Sequence, residues 1–231
     1  MSTTPSAAHQ PFSASAPVSL TERRKAETRM EIARAAAALF VQQGLRATRA
    51  EDIAQAAGIA PRTFYRYFAT KEEAVAPLYA AGAQRWVEAV RAAPAHLTLP
   101  EALEHAVHHT LTPGLGVSAA SWEWLRTLVR LADTSPALRK VWAEVCQTSE
   151  GALAETLVGR AAAAGRAASF SPHLRFAAAV AGAAVRVAVE SWAATTTPPT
   201  GPDGPAALAL HNLRALRSFE WGESEGLRGE R

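Results

Sequence analysis

A basic and aromatic stretch, PRTFYRYF at residues 61–68, has side chains of the kind that recognise DNA. Arg62 and Arg66 stand away from the apolar side of its helical pattern. An arginine can donate two hydrogen bonds to guanine O6 and N7, whereas hydroxyl groups and lysine hold phosphate oxygens. We therefore expect Arg62 and Arg66 to read bases and Thr48, Tyr67 and Lys71 to anchor phosphates. The full expected DNA-contacting set is Thr48, Arg49, Arg62, Thr63, Tyr65, Arg66, Tyr67 and Lys71.

Two short helical patterns position these side chains. They cover residues 51–57 and 61–68, with Gly58 in the turn between them, as in a helix-turn-helix. Thr48 and Glu51 have the spacing of a capping box, which predicts the start of the first helix. The second helix would then present its basic and aromatic side to a DNA groove.

The starts of both helices suggest contacts with phosphate. Arg49 would occupy the first helical position, where a cation meets the positive end of the helix dipole. Ala60 and Pro61 begin the next helix without a side-chain cap, which leaves amides available to an anion. We hypothesise that DNA phosphates complete both helix starts.

The charge distribution agrees with a DNA-binding segment at this end of the chain. Residues 18–75 hold ten Lys or Arg against seven Asp or Glu, whereas residues 76–231 hold fourteen of each. All of the net charge of +3 therefore lies in the part that contains the helix-turn-helix. Such an excess favours contact with phosphates, although a chance cluster on a solvated face would give the same count.

Repeated helix signals predict an all-α protein of about nine helices. Capping-box pairs begin at Ser19, Thr48 and Thr70, and several later helices have proline at their first position. Pro77 predicts a kink or a late first turn in the fourth helix. The first helix should end at Gly44, and the others should cover residues 51–57, 61–68, 71–92, 100–111, 119–132, 136–163, 172–194 and 205–219.

Several classes of protein are disfavoured. Cys146 is the only cysteine, so the chain has no internal disulfide and no four-cysteine zinc site. His105, His108 and His109 have helical spacing, but an exposed polar stripe explains them without a metal. The longest apolar run, residues 176–185, is about half of the roughly 20 residues that cross a bilayer. We expect a cytoplasmic protein with no membrane association, metal, cofactor or catalytic residue.

The order and spacing of several motifs resemble a known family. The chain contains AAAALF, TRAEDIAQAAGI, TFYRYF and TKEE, and over residues 23–75 it resembles the amino-terminal domain of tetracycline-repressor-type regulators. It departs from that pattern at Arg49, where the family usually has threonine, and at Ala60, where it usually has serine. The resemblance implies a homodimeric repressor that binds a palindromic operator and is released by a small molecule.

This resemblance assigns the remaining segments. Residues 1–17 would be a disordered arm and 18–70 the DNA-binding domain, while 71–221 would bind ligand and form the dimer and 222–231 would be a disordered tail. The aromatic residues of the larger part could line a pocket for an apolar or aromatic effector, or simply fill the core. The expected pocket residues are Trp86, Trp122, Val129, Trp142, Cys146, Phe176 and Val180.

The eighth predicted helix is apolar on two faces, which one thin layer cannot bury. We therefore expect a four-helix interface between two subunits, built by this helix and the ninth. The expected interface residues are Val185, Val189, Leu210, Leu213 and Leu216. A two-sided core helix in a monomer is the alternative.

Two other functions remain open. An enzyme using the carboxy-terminal cavity is disfavoured, because the chain has no glycine-rich phosphate loop or nucleophile motif. An architectural DNA-binding protein without a ligand would keep the helix-turn-helix and need no pocket.

Overall fold

A computed structural model describes residues 19–114, 119–165 and 172–216 of the chain, with only the backbone at residues 119 and 120. The expected arm, the expected tail and the end of the ninth helix beyond residue 216 lie outside these ranges. Within them every regular element is helical, in agreement with the predicted all-α class. The α-helices are α1 Leu20–Ala47, α2 Ala50–Ala56, α3 Pro61–Tyr67, α4 Ala76–Ala92, α5 Leu99–Leu111, α6 Ala119–Thr134, α7 Pro136–Ala163, α8 Pro172–Ala193 and α9 Pro205–Ala215.

Helix α1 begins and ends where local chemistry requires. The Ser19 hydroxyl accepts a hydrogen bond from the Glu22 amide at 3.2 Å, which confirms the predicted cap. Gly44 has φ 83° and interrupts the helical backbone, so that the last residues form a separate turn. Only glycine adopts this conformation readily, and the predicted end of the helix at Gly44 is therefore confirmed.

Lys71 closes the end of α1. Its Nζ donates to the carbonyl oxygens of Leu45 at 2.7 Å and Thr48 at 2.8 Å. These carbonyls follow the break at Gly44 and have no next helical turn to accept from. Lys71 thus joins the segment before α4 to the turn that leads into α2.

The first three helices share an apolar core. Ile32 and Phe40 from α1 pack with Ile53 from α2 and Phe64 from α3, and all four side chains are buried. Phe68, directly after α3, completes the cluster. Phe64 is the only buried residue of α3, so most of that short helix is exposed.

Helix α4 starts later than residue 71, the position that the sequence predicted. A 3₁₀ turn covers Glu73–Val75, and α4 itself begins at Ala76, with Pro77 in its first turn. The missing amide of proline costs nothing at that position. The expectation of a late first turn at Pro77 is therefore confirmed.

The body of the protein is a bundle in which α4, α5, α7, α8 and α9 surround one core. A second apolar cluster links this body to the first three helices. Leu128 from α6 and Leu138 and Val141 from α7 are buried in the same cluster as Phe40 and Phe64. The expected boundary between residues 70 and 71 is therefore crossed by a continuous core.

Among the helices that the structure describes, α8 alone is long and apolar enough to meet the length and composition of a membrane span. Its inner side is buried against α7 and α9 within the bundle. Buried core helices share these properties.

Replacement of Lys71 by methionine should lower the free energy of unfolding by about 1–3 kcal/mol, because two partly buried carbonyls lose their donor. Urea unfolding followed by circular dichroism measures this loss. The matched control is Lys140→Met, since Lys140 is exposed and forms a surface ion pair with Glu144 one turn away, and its effect should stay within about 0.5 kcal/mol. Equal losses in the two variants would contradict the assignment.

Candidate nucleic-acid interface and internal cavity

Helix α3 presents one exposed side that is rich in basic and aromatic groups. Arg62, Tyr65 and Arg66 are exposed and Thr63 is half-buried, whereas Phe64 on the opposite side is fully buried. The Tyr65 ring packs edge-on against Phe64 at 5.4 Å and remains 52% exposed. This geometry leaves the guanidinium groups and the phenol accessible to a partner as large as a DNA groove.

Tyr67 lies at the rim of this surface and is held from two sides. The guanidinium of Arg66 stands 5.3 Å from the Tyr67 ring centroid, and Arg29 of α1 donates to the Tyr67 carbonyl at 2.9 Å. Arg29 also stands 4.5 Å from the centroid of the Phe68 ring. These contacts hold the end of α3 against α1.

Arg49 forms a small polar network with α2 and α3. Its Nε lies 3.5 Å from a Glu51 carboxylate oxygen, and the other Glu51 oxygen accepts from the Tyr65 hydroxyl at 3.4 Å. Both long bonds are exposed to solvent and therefore weak. A phosphate could therefore replace Glu51 as the partner of Arg49 with little loss of free energy.

Thr48 and Lys71 lie inside the domain, away from the exposed side of α3. Thr48 is 0% exposed; its hydroxyl donates to the Gly44 carbonyl at 2.9 Å and accepts from Gln43 at 3.3 Å. Since Lys71 is used by backbone carbonyls, the geometry gives both residues a positioning role rather than the expected phosphate contact.

The predicted capping box at Thr48 was wrong by one residue. Arg49 is the residue before the first turn of α2, and its amide donates to the Asp52 carboxylate at 2.8 Å. An arginine side chain cannot accept a hydrogen bond, so only this half of the box forms. At α3, the Ala60 carbonyl accepts from the Thr63 and Phe64 amides, which are thus less available to an anion than expected.

A cavity of about 350 Å³ lies between α1, α4, α6, α7 and α8. Four tryptophans line it, together with aliphatic, sulfur-bearing and charged groups. Apolar cavities of this size hold small ligands. The lining residues that carry most of its chemistry are Met30, Arg34, Tyr79, Arg85, Trp86, Trp122, Trp124, Leu125, Trp142, Cys146, Ser149, Glu150, Val185, Arg186 and Val189.

The sequence located part of this lining. Of the seven expected pocket residues, the structure brings Trp86, Trp122, Trp142 and Cys146 together around the cavity. Val129 lines an adjoining pocket that shares Trp142 and Cys146.

The two α8 residues of the expected pocket lie elsewhere. Phe176 is 57% exposed and lies outside the cavity wall, as does Val180. Helix α8 presents Val185 and Val189 to the cavity instead. These two residues were expected at the dimer interface. The sequence prediction therefore assigned the two faces of α8 the wrong way round.

Tyrosine and tryptophan polar groups fix the shape of the cavity. The Tyr79 hydroxyl donates to the Leu128 carbonyl at 3.0 Å, and its ring packs against Trp142 at 4.9 Å. Burial raises the pKa of the Tyr79 phenol, so it stays a neutral donor. The Trp142 indole donates to Glu190 at 2.7 Å, and Glu190 also pairs with Arg186 at 3.0 Å.

Two other indole groups in the cavity wall lack a hydrogen-bond acceptor of this kind among the described residues. The Nε1 atoms of Trp86 and Trp122 are buried and have no hydrogen-bond partner among the described residues. A buried donor without a partner costs about 1–3 kcal/mol. Small side-chain rotations toward an acceptor oxygen in the cavity would recover part of that cost.

Cys146 lies half-buried in the wall. Burial is the main cause that raises the pKa of its thiol to about 12; Arg186 lowers the pKa by a smaller amount, and Glu190 and Glu150 raise it. The thiol is therefore neutral at physiological pH and acts as a small apolar group.

The expected dimer residues of α9 also face inward. Leu210 and Leu213 are buried in the core of the bundle, and Leu216 packs against it. The exposed apolar side of α8 is a stripe of Phe176, Val180, Ala183 and Val187, of which Val187 is 44% exposed.

A helix-turn-helix is thus joined through one apolar core to a helical body that contains a cavity. Residues 32–76 match the profile of the family described as bacterial regulatory proteins, tetR family. This match covers the helix-turn-helix and agrees with the resemblance that the sequence motifs implied.

Curated relatives are regulators and not enzymes. The chain is 30% identical over 146 residues to the HTH-type transcriptional regulator TcmR of Streptomyces glaucescens, covering 61% of this chain and 63% of TcmR. It is 51% identical over 47 residues to the HTH-type transcriptional repressor KstR2 of Mycobacterium tuberculosis, covering 20% of this chain and 24% of KstR2. The chain thus spans less than two thirds of either relative.

Solved structures share the fold. Thermus thermophilus FadR, a TetR-family transcriptional repressor solved in complex with lauroyl-CoA, is 24% identical with a TM-score of 0.54, covering 88% of this chain and 99% of FadR. Salmonella enterica GusR is 18% identical with a TM-score of 0.51, covering 85% and 94%. At these identities the likeness establishes the architecture.

The raised pKa of the Cys146 thiol predicts that it reacts slowly with alkylating reagents. At pH 8, Cys146 should react with iodoacetamide at least about tenfold more slowly than free cysteine, because little thiolate is present and the group is half-buried. Mass spectrometry follows the reaction at one position, since the chain has a single cysteine. In urea the rate should rise to that of a free thiol; a fast reaction in the folded protein would contradict the assignment.

Proposed function

We propose that the protein is a ligand-responsive transcriptional repressor that binds a palindromic operator as a homodimer and is released by a small apolar or aromatic effector. One observation carries this proposal. The exposed reading helix α3 belongs to an apolar core that also contains Leu128 of α6 and Val141 of α7, two helices that line the cavity. A ligand between those helices acts on elements that hold the reading helix.

The DNA contacts follow from exposure. Arg62 and Arg66 are suited to guanine edges, and Thr63 and Tyr65 to thymine methyls or phosphates. Arg49 and Tyr67 lie at the rim, where phosphates would meet them. Thr48 and Lys71 support this surface from beneath. Helix α3 is only seven residues long, so its base contacts come from about two turns.

The effector class follows from the cavity wall. Four tryptophans offer flat apolar surface at low entropic cost, and about 350 Å³ suits a small ring system. The buried indoles of Trp86 and Trp122 favour a ligand with acceptor oxygens. Such a cavity has no use in an architectural DNA-binding protein, which supports a regulated one.

A homodimer follows from the two-fold logic of helix-turn-helix binding. The stripe formed by Phe176, Val180, Ala183 and Val187 on α8 supplies the exposed apolar surface for it. This proposal keeps α8 in the interface but moves its contact to the opposite face, whereas the predicted α9 leucines pack in the core of the bundle. A bacterial regulator of this kind acts in the cytoplasm, where its DNA is.

The DNA interface is tested with Arg66→Ala. A gel shift with the DNA upstream of the protein's own gene should show affinity lower by at least about tenfold, because one bidentate base contact is worth about 1–3 kcal/mol. Arg130→Ala is the matched control, because Arg130 is exposed on α6 and belongs to neither α2 nor α3. Its loss should change the affinity by less than about twofold, since exposed charges contribute little.

Two outcomes of the gel shift would contradict the proposal. One is equal affinity of wild type and Arg66→Ala, and the other is absence of any salt-dependent binding by the wild type. Circular dichroism of both variants shows whether α3 is still folded.

The dimer face is tested with Phe176→Asp and Val187→Asp. Each places a charge in the proposed interface, so sedimentation at micromolar concentration should show the wild type as a dimer and both variants as monomers. Val41→Asp, at an exposed apolar position on α1, should stay dimeric. A monomeric wild type would contradict the dimer, and dimeric variants would contradict this face.

A further inference from the structure

We propose that the effector carries an anionic group, and that Arg34 of α1 and Arg85 of α4 bind this group at the edge of the cavity. The DNA-reading domain then forms part of the effector site. The inference rests on the proposed function and adds to it the charge of the ligand and the helix that senses it.

Helix α1 contributes directly to the cavity wall. Met30 and Arg34 are one turn apart and both line the cavity, whereas Ile32 and Ala36 on the other side are buried in the core of the DNA-reading domain. The same helix therefore touches both sites with two different faces. A contact made by Arg34 is transmitted without an intermediate helix.

The two arginines lack counter-ions. Arg34 and Arg85 are exposed, and neither makes a hydrogen bond or ion pair with any residue that the structure describes. Helices α1 and α4 pack against each other, and each contributes one of these cations to the cavity wall. Bringing like charges together is unfavourable unless an anion joins them.

The other charges of the wall do not supply that anion. Arg186 is paired with Glu190 at 3.0 Å, and among the described residues Glu150 is the only carboxylate that lines the cavity. One carboxylate against two unpaired guanidinium groups leaves an excess of positive charge. An apolar ligand with a carboxylate would match both the tryptophan surface and this excess, since a guanidinium binds a carboxylate through two parallel hydrogen bonds.

This arrangement predicts how the signal reaches DNA. A carboxylate bound by both arginines would draw α1 and α4 together at the cavity. Because α1 carries Ile32 and Phe40 of the reading domain's core, α2 and α3 would move with it. The spacing of two reading helices in the dimer would change, and a half-site spacing fixed by DNA would no longer be matched.

The experiment compares two probes of nearly equal shape, 2-naphthoate and the neutral 2-naphthamide. Quenching of tryptophan fluorescence reports binding, since four of the six tryptophans line the cavity. The wild type should bind naphthoate at least about tenfold more tightly than naphthamide, as expected for one charge-assisted bidentate contact. Arg34→Ala and Arg85→Ala should each reduce this preference to less than about threefold.

The controls separate charge at this site from general effects. Arg130→Ala, outside the cavity, should keep the wild-type preference, and Arg34→Lys should restore part of it because the charge remains without the planar fork. Thermal unfolding shows that each variant is folded. Equal binding of the two probes, no binding of either, or an unchanged preference in Arg34→Ala would each overturn the inference.

A gel shift distinguishes failure of the anionic-ligand inference from failure of the proposed repressor function. If the wild type binds its upstream DNA but does not discriminate the probes, only the ligand inference is wrong. If it discriminates the probes but does not bind DNA in a salt-dependent way, the proposed repressor is wrong. If the wild type both discriminates the probes and binds its upstream DNA, naphthoate should weaken DNA binding by the wild type and not by Arg34→Ala.

Discussion

One apolar core holds α3 together with α6 and α7, two helices that line the cavity. Phe40 and Phe64 are buried in the same cluster as Leu128, Leu138 and Val141, so that α6 and α7 pack on the DNA-reading domain directly. Packed cores rearrange as units because their side chains interdigitate without free space. The position of α3 therefore depends on the packing of α6 and α7, and the cavity lies between those helices. The exposed network of Arg49, by contrast, can change without disturbing this core.

Helix starts could be predicted from the sequence because their chemistry is local. The Ser19 hydroxyl accepts from the Glu22 amide at 3.2 Å, at the start of α1, where the capping-box spacing predicted it. Gly44 ended α1 for the same reason, since its φ of 83° needs no distant partner. The capping box at Thr48 failed because burial of its side chain competed with capping. A sequence window shows hydroxyl spacing and does not show that a lysine 23 residues later will bind the same turn.

The faces of helices were harder to assign than their ends. Both sides of α8 are apolar, so periodicity indicates two buried faces without indicating what covers each of them. The packing of α9 and α7 decides this: Ala177 and Ala181 allow close approach on one side, and Phe176 is left outside. Arg34 was missed for a related reason. It lies in a helix that the motifs assign to DNA binding, and only the tertiary arrangement shows that α1 also reaches the cavity.

The division of α8 has a consequence for regulation. Its inner side places Val185 and Val189 in the cavity wall, while Phe176 and Val187 are exposed on the stripe that we propose as the dimer interface. A ligand that displaces the inner side rotates or shifts the outer side with it, because a helix moves as a rigid rod over this length. At the other edge of the cavity, Arg34 belongs to the helix that carries the reading domain. The ligand would thus contact both elements that set the distance between two reading helices, the helix at the subunit interface and the helix under α3. Coupling between ligand and DNA then needs no long pathway, since α8 and α1 both line the same cavity.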